Sequence, residues 1–483
     1  MANFWDFSVW GVFNLVAILL LSLLVSNALK RKMKWLKNSL IPTSVLGGIL
    51  LLITSIIYKV ISGNFLFNTA FFGGNGMSVL EIITYHTLAL GFIASTLKGG
   101  KTKFTKDRAK EVFNTGVTTV STYLLQAVVG LGITIIAAAI IEGFFAAAGV
   151  LLPFGYGQGT GQALNYGSIY ETEHGFVGGK SFGLTIAALG FLSASIGGVI
   201  HLNILKRKGK IILPSKEEEI LKENQIQSGD EIPMNGSMDK MTVQIAWIAL
   251  AYFFTYLLMY GLGRLLPGMR SVVYGFNFLF GVLIATLVKA VLNTLKSKKI
   301  IHHKYVNDFL MDRISNFCFD IMVVAGIAAI NLDAIAKYWA ILLILGVIGL
   351  VLTYAYNLFV ARTLFKNYSE EQFLMMYGML TGTASTGIIL LREIDGEFKT
   401  PVAENLVYQN FPAIVFGFPL MLLATLAPTQ PLLTFGILLA FFIVMNVILF
   451  RSFLFKKKKT KNATCETVSN EQTMLVQSEE IEE

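Results

Sequence analysis

The chain has 483 residues, of which 54% are hydrophobic and only 14% are charged, and its net charge is +9. Soluble domains average about 25% charged residues, so this composition excludes a water-soluble protein and favours apolar spans of about 20 residues. The positive charge lies in short Lys and Arg clusters between apolar runs, which is typical of membrane flanks and not of a nucleic-acid-binding surface. The two cysteines, Cys318 and Cys465, have no metal-ligand spacing, so neither a zinc site nor a disulfide framework is expected.

Eleven apolar runs are predicted to cross a bilayer as α-helices. In chain order they cover roughly 9–29, 41–61, 78–97, 112–141, 182–205, 243–262, 272–292, 314–332, 339–360, 406–426 and 432–450. Basic clusters at 30–37, 98–110 and 206–210 are expected to stay in the cytoplasm, because positive charge is retained there. The sequence therefore predicts a multi-pass plasma-membrane protein with its N-terminus outside and its C-terminus in the cytoplasm.

Two further apolar segments, at about 143–170 and 373–391, break this alternation if they cross fully. The lysines at 206–210 and at 456–461 would then fall outside. We therefore predict that each segment is a re-entrant hairpin, which dips into the membrane and returns. Each half of the chain then has four spans, a hairpin and a fifth span. Because five is odd, the halves must be inverted relative to each other, as in many secondary transporters.

The predicted organisation follows from this count. It comprises a first membrane repeat (1–205), a cytoplasmic linker (206–240), a second membrane repeat (241–426), an extra transmembrane helix (427–455) and a polar cytoplasmic tail (456–483). The fold class is thus an all-α polytopic membrane protein.

Both hairpins have a glycine-rich centre, and aligning Gly159 with Gly382 relates them by an offset of 223 residues. Glycine breaks a helix, and a broken helix exposes N–H groups that suit a carboxylate and carbonyls that suit sodium. Close helix packing through small residues is the alternative interpretation. The predicted substrate contacts in the hairpins are Gly157, Gln158, Gly159, Thr160, Gly161, Thr381, Gly382, Thr383, Ser385 and Thr386.

Isolated polar residues inside apolar spans carry a functional expectation. Arg392 would bind a substrate carboxylate or pair with a neighbouring acid, and Asn410 would reach the site or an adjacent helix. Asp320 fits cation coupling, an ion pair or a place in a cytoplasmic vestibule, and a hydrogen-bonded packing role is favoured for His86. The predicted sodium ligands are Thr160, Thr383, Ser385 and Asp320.

At these hairpins the chain resembles the bacterial sodium/glutamate symporter family, which is related in architecture to the sodium/citrate carriers. The resemblance rests on an Ile-Pro-x-x-x-x-Gly-Gly opening at 41–48, the first hairpin centre at 157–161, the stretch 308–332 and the second hairpin at 378–387. It implies sodium-coupled uptake of glutamate by a homodimer, whose transport domain carries both hairpins and moves against a scaffold. Tyr156 and Gln158 stand where the family carries Gly and His, which leaves a different amino acid or a dicarboxylate open as the substrate.

The leading hypothesis is sodium-coupled symport of glutamate or a related small carboxylate into the cell by an elevator mechanism. The alternative is a proton-coupled symporter or exchanger of another small organic anion, with Asp320 and His86 as the residues that would support it. The sequence has no HExxH motif, and no nucleophile–base pair is evident at membrane depth, so a membrane enzyme is not favoured. We expect no cofactor, with sodium as the coupling ion.

Overall fold

A computed structural model describes residues 3–98, 106–209, 231–233, 237–396 and 399–454. Within these ranges the chain is helical, and its one β-type feature is an isolated bridge between Glu231 and Lys304. The predictions for the tail at 456–483, for Cys465 and for most of the linker at 206–240 lie outside the described residues.

Nineteen α-helices make up the described chain, joined by short turns. In chain order they are α1 (Phe7–Lys32), α2 (Lys34–Asn38), α3 (Thr43–Ser62), α4 (Gly76–Leu97), α5 (Lys106–Ile140), α6 (Leu151–His174), α7 (Gly179–Arg207), α8 (Lys240–Leu265), α9 (Arg270–Gly275), α10 (Asn277–Ser297), α11 (Asp308–Ala328), α12 (Leu332–Ile335), α13 (Trp339–Leu364), α14 (Ser369–Thr381), α15 (Ala384–Arg392), α16 (Val402–Tyr408), α17 (Asn410–Leu426), α18 (Pro431–Leu449) and α19 (Arg451–Leu454). Single 3₁₀ turns occupy Leu66–Asn68, Ala70–Phe72, Ala146–Val150, Pro267–Met269 and Ala336–Tyr338.

Nine helices of the described chain are long and apolar enough to cross a membrane, namely α1, α3, α4, α5, α7, α8, α10, α13 and α18. They coincide with nine of the eleven predicted spans. Large apolar side chains on their outer faces are exposed, such as Leu24 (67%), Leu287 (60%) and Val347 (63%). An exposed apolar surface of this extent suits lipid and not water.

The other two predicted spans correspond to α11, which is long enough but too rich in charged residues, and α17, whose apolar part is short. Helix α11 carries four charged residues, including Asp312 and Asp320. The predicted tenth span is divided at Gln409 between α16 and α17, and Pro419 lies inside α17. The seventh span begins at Asn277, five residues later than predicted, because the preceding residues form the separate helix α9.

The long helices pack in two groups. The first contains α1, α3, α4, α8, α10 and α11, and the second contains α5, α6, α7, α13, α14, α15, α17 and α18. Contacts occur in matched pairs between the halves of the chain: α1 with α3 and α8 with α10, α3 with α11 and α10 with α4, α5 with α17 and α13 with α7. Helix α6 contacts α4 and α11 as well as its own group, so it lies between the groups.

A buried charged cluster ties the end of the linker to the first group. The Glu231 carboxylate accepts a bond from Lys240 at 2.9 Å and from Asn307 Nδ2 at 2.6 Å. The side chains of Glu231 and Lys240 are only 4% and 1% exposed. Each buried charge stabilises the other, because burying an ion without a counter-charge costs several kcal/mol of free energy.

Replacing Glu231 with Ala is expected to lower the free energy of unfolding by about 3 kcal/mol, because Lys240 is left buried without its counter-charge. Thermal unfolding of the purified protein measures the effect. The control is Asp312→Ala, which removes a pair with Lys98 whose side chains are 29% and 40% exposed, and a loss of at most about 1 kcal/mol is expected there. Equal shifts in the two variants would contradict the role of the buried cluster.

Candidate functional site

Helix α6 contains a reversal of the chain at Gly159. The rings of Phe154 and Tyr166 stack with centroids 3.9 Å apart, although a continuous helix would separate them by about 18 Å. Gly159 has φ +78° and ψ −169°, a conformation that residues with a Cβ rarely adopt. The segment Leu151–His174 is therefore two antiparallel arms joined at Gly159.

A second reversal joins α14 to α15 at Gly382 and Thr383. A Cβ on Gly378 would lie 2.8 Å from the Gly387 Cα, and one on Gly387 would lie 2.5 Å from the Met375 carbonyl oxygen. The two arms thus touch backbone to backbone, which only glycine permits at these positions.

The two reversals meet. A Cβ built on Gly159 would lie 3.5 Å from Thr383 Cγ2 and 3.8 Å from the Gly382 carbonyl oxygen. Gly159 and Gly382 are the residues that the 223-residue offset aligns. The predicted glycine-rich centres therefore lie together in the folded chain, and we call the region around Gly159, Gly382 and Thr383 the tip junction.

Helix α5 holds both arms of the tip junction by their carbonyl groups. The Tyr123 hydroxyl donates to the Gly157 carbonyl at 3.0 Å, and Gln126 Nε2 donates to the Leu380 carbonyl at 3.0 Å. Gly157 and Leu380 are again 223 residues apart, and Tyr123 and Gln126 are one helical turn apart. One helix therefore satisfies equivalent carbonyls at the ends of two broken helices.

Two glycines on neighbouring helices allow the close approach. A Cβ on Gly326 of α11 would lie 2.6 Å from Thr160 Cβ, and the Thr160 hydroxyl donates to the Met322 carbonyl at 3.2 Å. A Cβ on Gly190 of α7 would lie 2.5 Å from the Thr381 carbonyl oxygen. Larger residues at these positions would push the junction apart.

The predicted hydroxyl residues lie at or beside the junction. Thr160 is fully buried, and the Thr383 and Thr386 hydroxyl oxygens are 3.3 Å apart. Thr381 donates to the Tyr377 carbonyl at 2.6 Å, so its proton is committed to its own helix. Ser385 is half-buried in the first turn of α15, and Gln158 is half-buried beside Gly159.

Three predicted site residues lie elsewhere. Arg392 is exposed at the far end of α15, about 14 Å along the helix from Thr383. Asn410 is exposed and accepts a bond from Gln409 at 3.2 Å. Asp320 faces the Ser44 hydroxyl of α3, on a different side of α11 from Met322.

His86 also lies away from the junction. Its Nδ1 is 2.7 Å from the Tyr252 hydroxyl of α8, and the two rings pack edge to face. This contact agrees with the packing role that the sequence favoured.

Sequence reasoning missed the residues that support the junction, above all Tyr123, Gln126 and Gly190. A signal for α5 was present, since the stretch 114–126 reads Asn-Thr-Gly-Val-Thr-Thr-Val-Ser-Thr-Tyr-Leu-Leu-Gln within an otherwise apolar span. Polar residues at membrane depth mark functional positions. Gly190 had no such signal, because its role depends on contacts with distant parts of the chain.

An ionic network holds the N-terminal end of the second hairpin, at the start of α14. Glu370, at the start of α14, accepts bonds from His201 Nε2 at 2.8 Å and Arg362 at 3.2 Å. Burial raises the pKa of the Glu370 carboxyl, but the bonds from His201 and Arg362 outweigh it and hold that pKa below its usual value. His201 Nδ1 also bonds Tyr354 at 2.7 Å, so α7, α13 and α14 are joined at this end.

Among the described residues, no group of three His, Cys, Asp or Glu side chains could hold a metal ion. The tip junction itself offers neutral oxygens, namely hydroxyls and backbone carbonyls. These are the ligands that hard cations such as sodium accept.

The nine apolar helices and the buried tip junction define a multi-pass helical membrane protein with a polar site at the meeting point of two broken helices. Residues 10–396 match the family model described as "Sodium/glutamate symporter". The match covers most of the chain, so the protein belongs to the sodium/glutamate symporter family, as the resemblance implied. A comparison with curated proteins gave no match.

The contact between the reversals predicts a specific cross-link. With Cys318 and Cys465 replaced by serine, Gly159→Cys and Thr383→Cys are expected to form a disulfide under mild oxidation, because a Cβ at residue 159 would lie 3.5 Å from Thr383 Cγ2. Mass spectrometry of peptides detects the product. The control pairs Gly159→Cys with Ser369→Cys at the opposite end of α14 and should not cross-link. A cross-link only in the control would contradict the tip junction.

Proposed function

We propose that this protein is a secondary active transporter in the plasma membrane, which couples sodium entry to the uptake of glutamate or a related small carboxylate. Membership of the sodium/glutamate symporter family supports the substrate and the coupling ion. The observation that carries the proposal is the contact of Gly159 with Gly382 and Thr383, because it brings four helix ends to one buried point.

The chemistry of those ends suits an anion together with a cation. The arm from Thr160 and helix α15 from Ala384 both begin at the junction, and helix N-termini attract carboxylates. The arms before Gly159 and Gly382 end there, and their terminal carbonyls attract cations. A substrate carboxylate and sodium would then stabilise each other at the same point.

We assign the ligands accordingly. The hairpin residues predicted from the sequence supply the substrate contacts, and Thr160, Thr383 and Ser385 supply sodium ligands. Asp320, Arg392 and Asn410 lie outside the tip junction, so a role for them in binding requires a change of conformation during transport.

The proposed topology has eleven transmembrane helices in two inverted repeats, with re-entrant hairpins at α6 and at α14–α15 and α18 as the extra helix. The matched contacts between the halves support a pseudo-two-fold relation. The distribution of lysines supports an external N-terminus and a cytoplasmic C-terminus.

The two helix groups support an elevator mechanism. The second group carries both hairpins, and its contacts with the first group are made largely through α6. Movement of the second group against the first would carry the tip junction from one side of the membrane to the other. The family resemblance further suggests a homodimer, in which the first group would serve as the scaffold.

Uptake of labelled glutamate into proteoliposomes tests the function. An inward sodium gradient is expected to drive accumulation, and a proton gradient imposed alone is not. Accumulation that follows the proton gradient and ignores sodium would favour the alternative of proton-coupled transport. The same assay with other amino acids and dicarboxylates identifies the preferred substrate.

Thr160→Val and Thr383→Val are each expected to reduce sodium-driven uptake at least about tenfold, because each removes one oxygen from the junction while keeping its shape. The matched control is Thr434→Val on α18, a fully buried threonine of the extra helix. Wild-type uptake in both junction variants would show that the tip junction does not bind the transported solutes.

A further inference from the structure

Helix α5 carries a line of buried polar side chains that leads to the tip junction. Thr115, Thr119, Thr122 and Gln126 follow one another at intervals of four, three and four residues, so they share one face. Their exposures are 0%, 2%, 0% and 0%. We call these four residues the α5 stripe, and it extends about 17 Å along the helix.

The partners of the α5 stripe come from the hairpin-bearing group. Thr115 Oγ1 accepts a bond from Gln372 of α14 at 3.2 Å, and Thr119 Oγ1 donates to Gln409 Oε1 at 2.8 Å. Gln126 Nε2 donates to Thr353 Oγ1 of α13 at 2.8 Å. The stripe thus faces the helices that pack around the second hairpin.

Two of the three hydroxyl protons of the stripe are donated within α5, whereas Thr119 donates its proton to Gln409. Thr115 donates to the Glu111 carbonyl at 2.9 Å and Thr122 donates to the Thr118 carbonyl at 2.8 Å, both within α5. A hydroxyl whose proton is committed in this way offers only lone pairs to the other side. It then resembles a carbonyl, which is a ligand for hard cations and not for anions.

Two amide oxygens beside the stripe have no hydrogen-bond partner among the described residues. They are Gln126 Oε1 and Gln372 Oε1, both on fully buried side chains. The orientation of Gln126 is fixed, because its Nε2 bonds the Leu380 carbonyl and a flipped amide would place two acceptors together. An unsatisfied buried acceptor costs about 1–3 kcal/mol, so a cation that contacted either oxygen would be stabilised there.

The α5 stripe extends from the tip junction to a cleft at the other end of the stripe. At one end Gln126 holds the second arm of the tip junction. At the other end, next to Thr115, lies a cleft of about 290 Å³ whose lining includes Lys110, Glu111, Asn114 and Tyr368. The Glu111 carbonyl that bonds Thr115 belongs to this lining residue, so the cleft adjoins the start of the stripe.

We propose that the α5 stripe is the passage of the coupling cation between the tip junction and this cleft, with Gln126 and Gln372 supplying oxygen ligands along it. The passage rests on the proposed sodium coupling. A file of single oxygens suits a dehydrated monatomic cation and excludes a glutamate anion, so the cation and the substrate leave the junction by different routes.

The test uses the full-length protein with sodium chloride as the probe. Sodium-dependent thermal stabilisation gives the half-saturating concentration, and exchange of labelled sodium in proteoliposomes gives the rate. Gln126→Leu is expected to raise the half-saturating concentration about tenfold, since one ligand is lost. Gln372→Leu, nearer the cleft, is expected to slow exchange about tenfold with a smaller effect on half-saturation.

The matched control is Gln244→Leu. Gln244 is also fully buried, and its Nε2 donates to the Lys240 and Tyr305 carbonyls in the first helix group. This variant should keep the sodium response of the wild type even if it lowers stability. If either leucine variant does not fold, Gln126→Met or Gln372→Met replaces it, with the same expected change in half-saturation or exchange rate.

The outcomes separate the two proposals. A wild-type protein that shows no response to sodium would overturn the proposed sodium coupling, and the passage with it. A wild-type protein that responds, together with stripe variants that match it in both half-saturation and exchange rate, would overturn the passage alone. Altered variants beside an unaltered Gln244→Leu protein would support it.

Discussion

The fold depends on how the backbone at two broken helices is satisfied. Inside an apolar environment an unpaired carbonyl or N–H costs several kcal/mol, so helices are interrupted only where protein groups replace the lost bonds. Here Tyr123 and Gln126 bond carbonyls at the ends of the two arms, and Thr160 bonds Met322. The polar groups of α5 and α11 are therefore what allows the reversals at Gly159 and Gly382 to be buried.

Close packing around the tip junction follows from the same constraint. Side chains can reach the broken backbone only if the helices approach closely, and Gly190 and Gly326 leave the space for this. Met322 and Phe191 also line the junction. Its polar groups are hydroxyls, carbonyls and helix ends, which suit a small anion and a hard cation.

Much of this architecture could be predicted because it depends on local patterns in the sequence, namely the length of apolar runs and the positions of lysine clusters. Apolar length located nine helices, and the parity of lysine clusters singled out 143–170 and 373–391 as segments that do not simply cross. The positions of Asp320, Arg392 and Asn410 relative to the junction could not be predicted. An isolated polar residue in a span indicates a role, but only the rotation of its helix decides which neighbour it faces, and the rotation of α11 turns Asp320 towards Ser44. Gly190 and Gly326 carry no local signal at all, because glycine is common in membrane helices for many reasons.

Helix α18 acquires a structural purpose from the polarity of α5. A helix with eight polar residues between 114 and 126 could not face lipid, since each unpaired hydroxyl or amide would be costly there. Helix α18 packs along α5, with Arg451 bonded to Asn114 at 3.2 Å and Asn446 bonded to Tyr356 of α13 at 2.8 Å. Helices α13, α14 and α17 cover the remaining sides of α5. Without α18, one side of α5 would be open to the bilayer, so this helix and the polar sequence of α5 depend on each other.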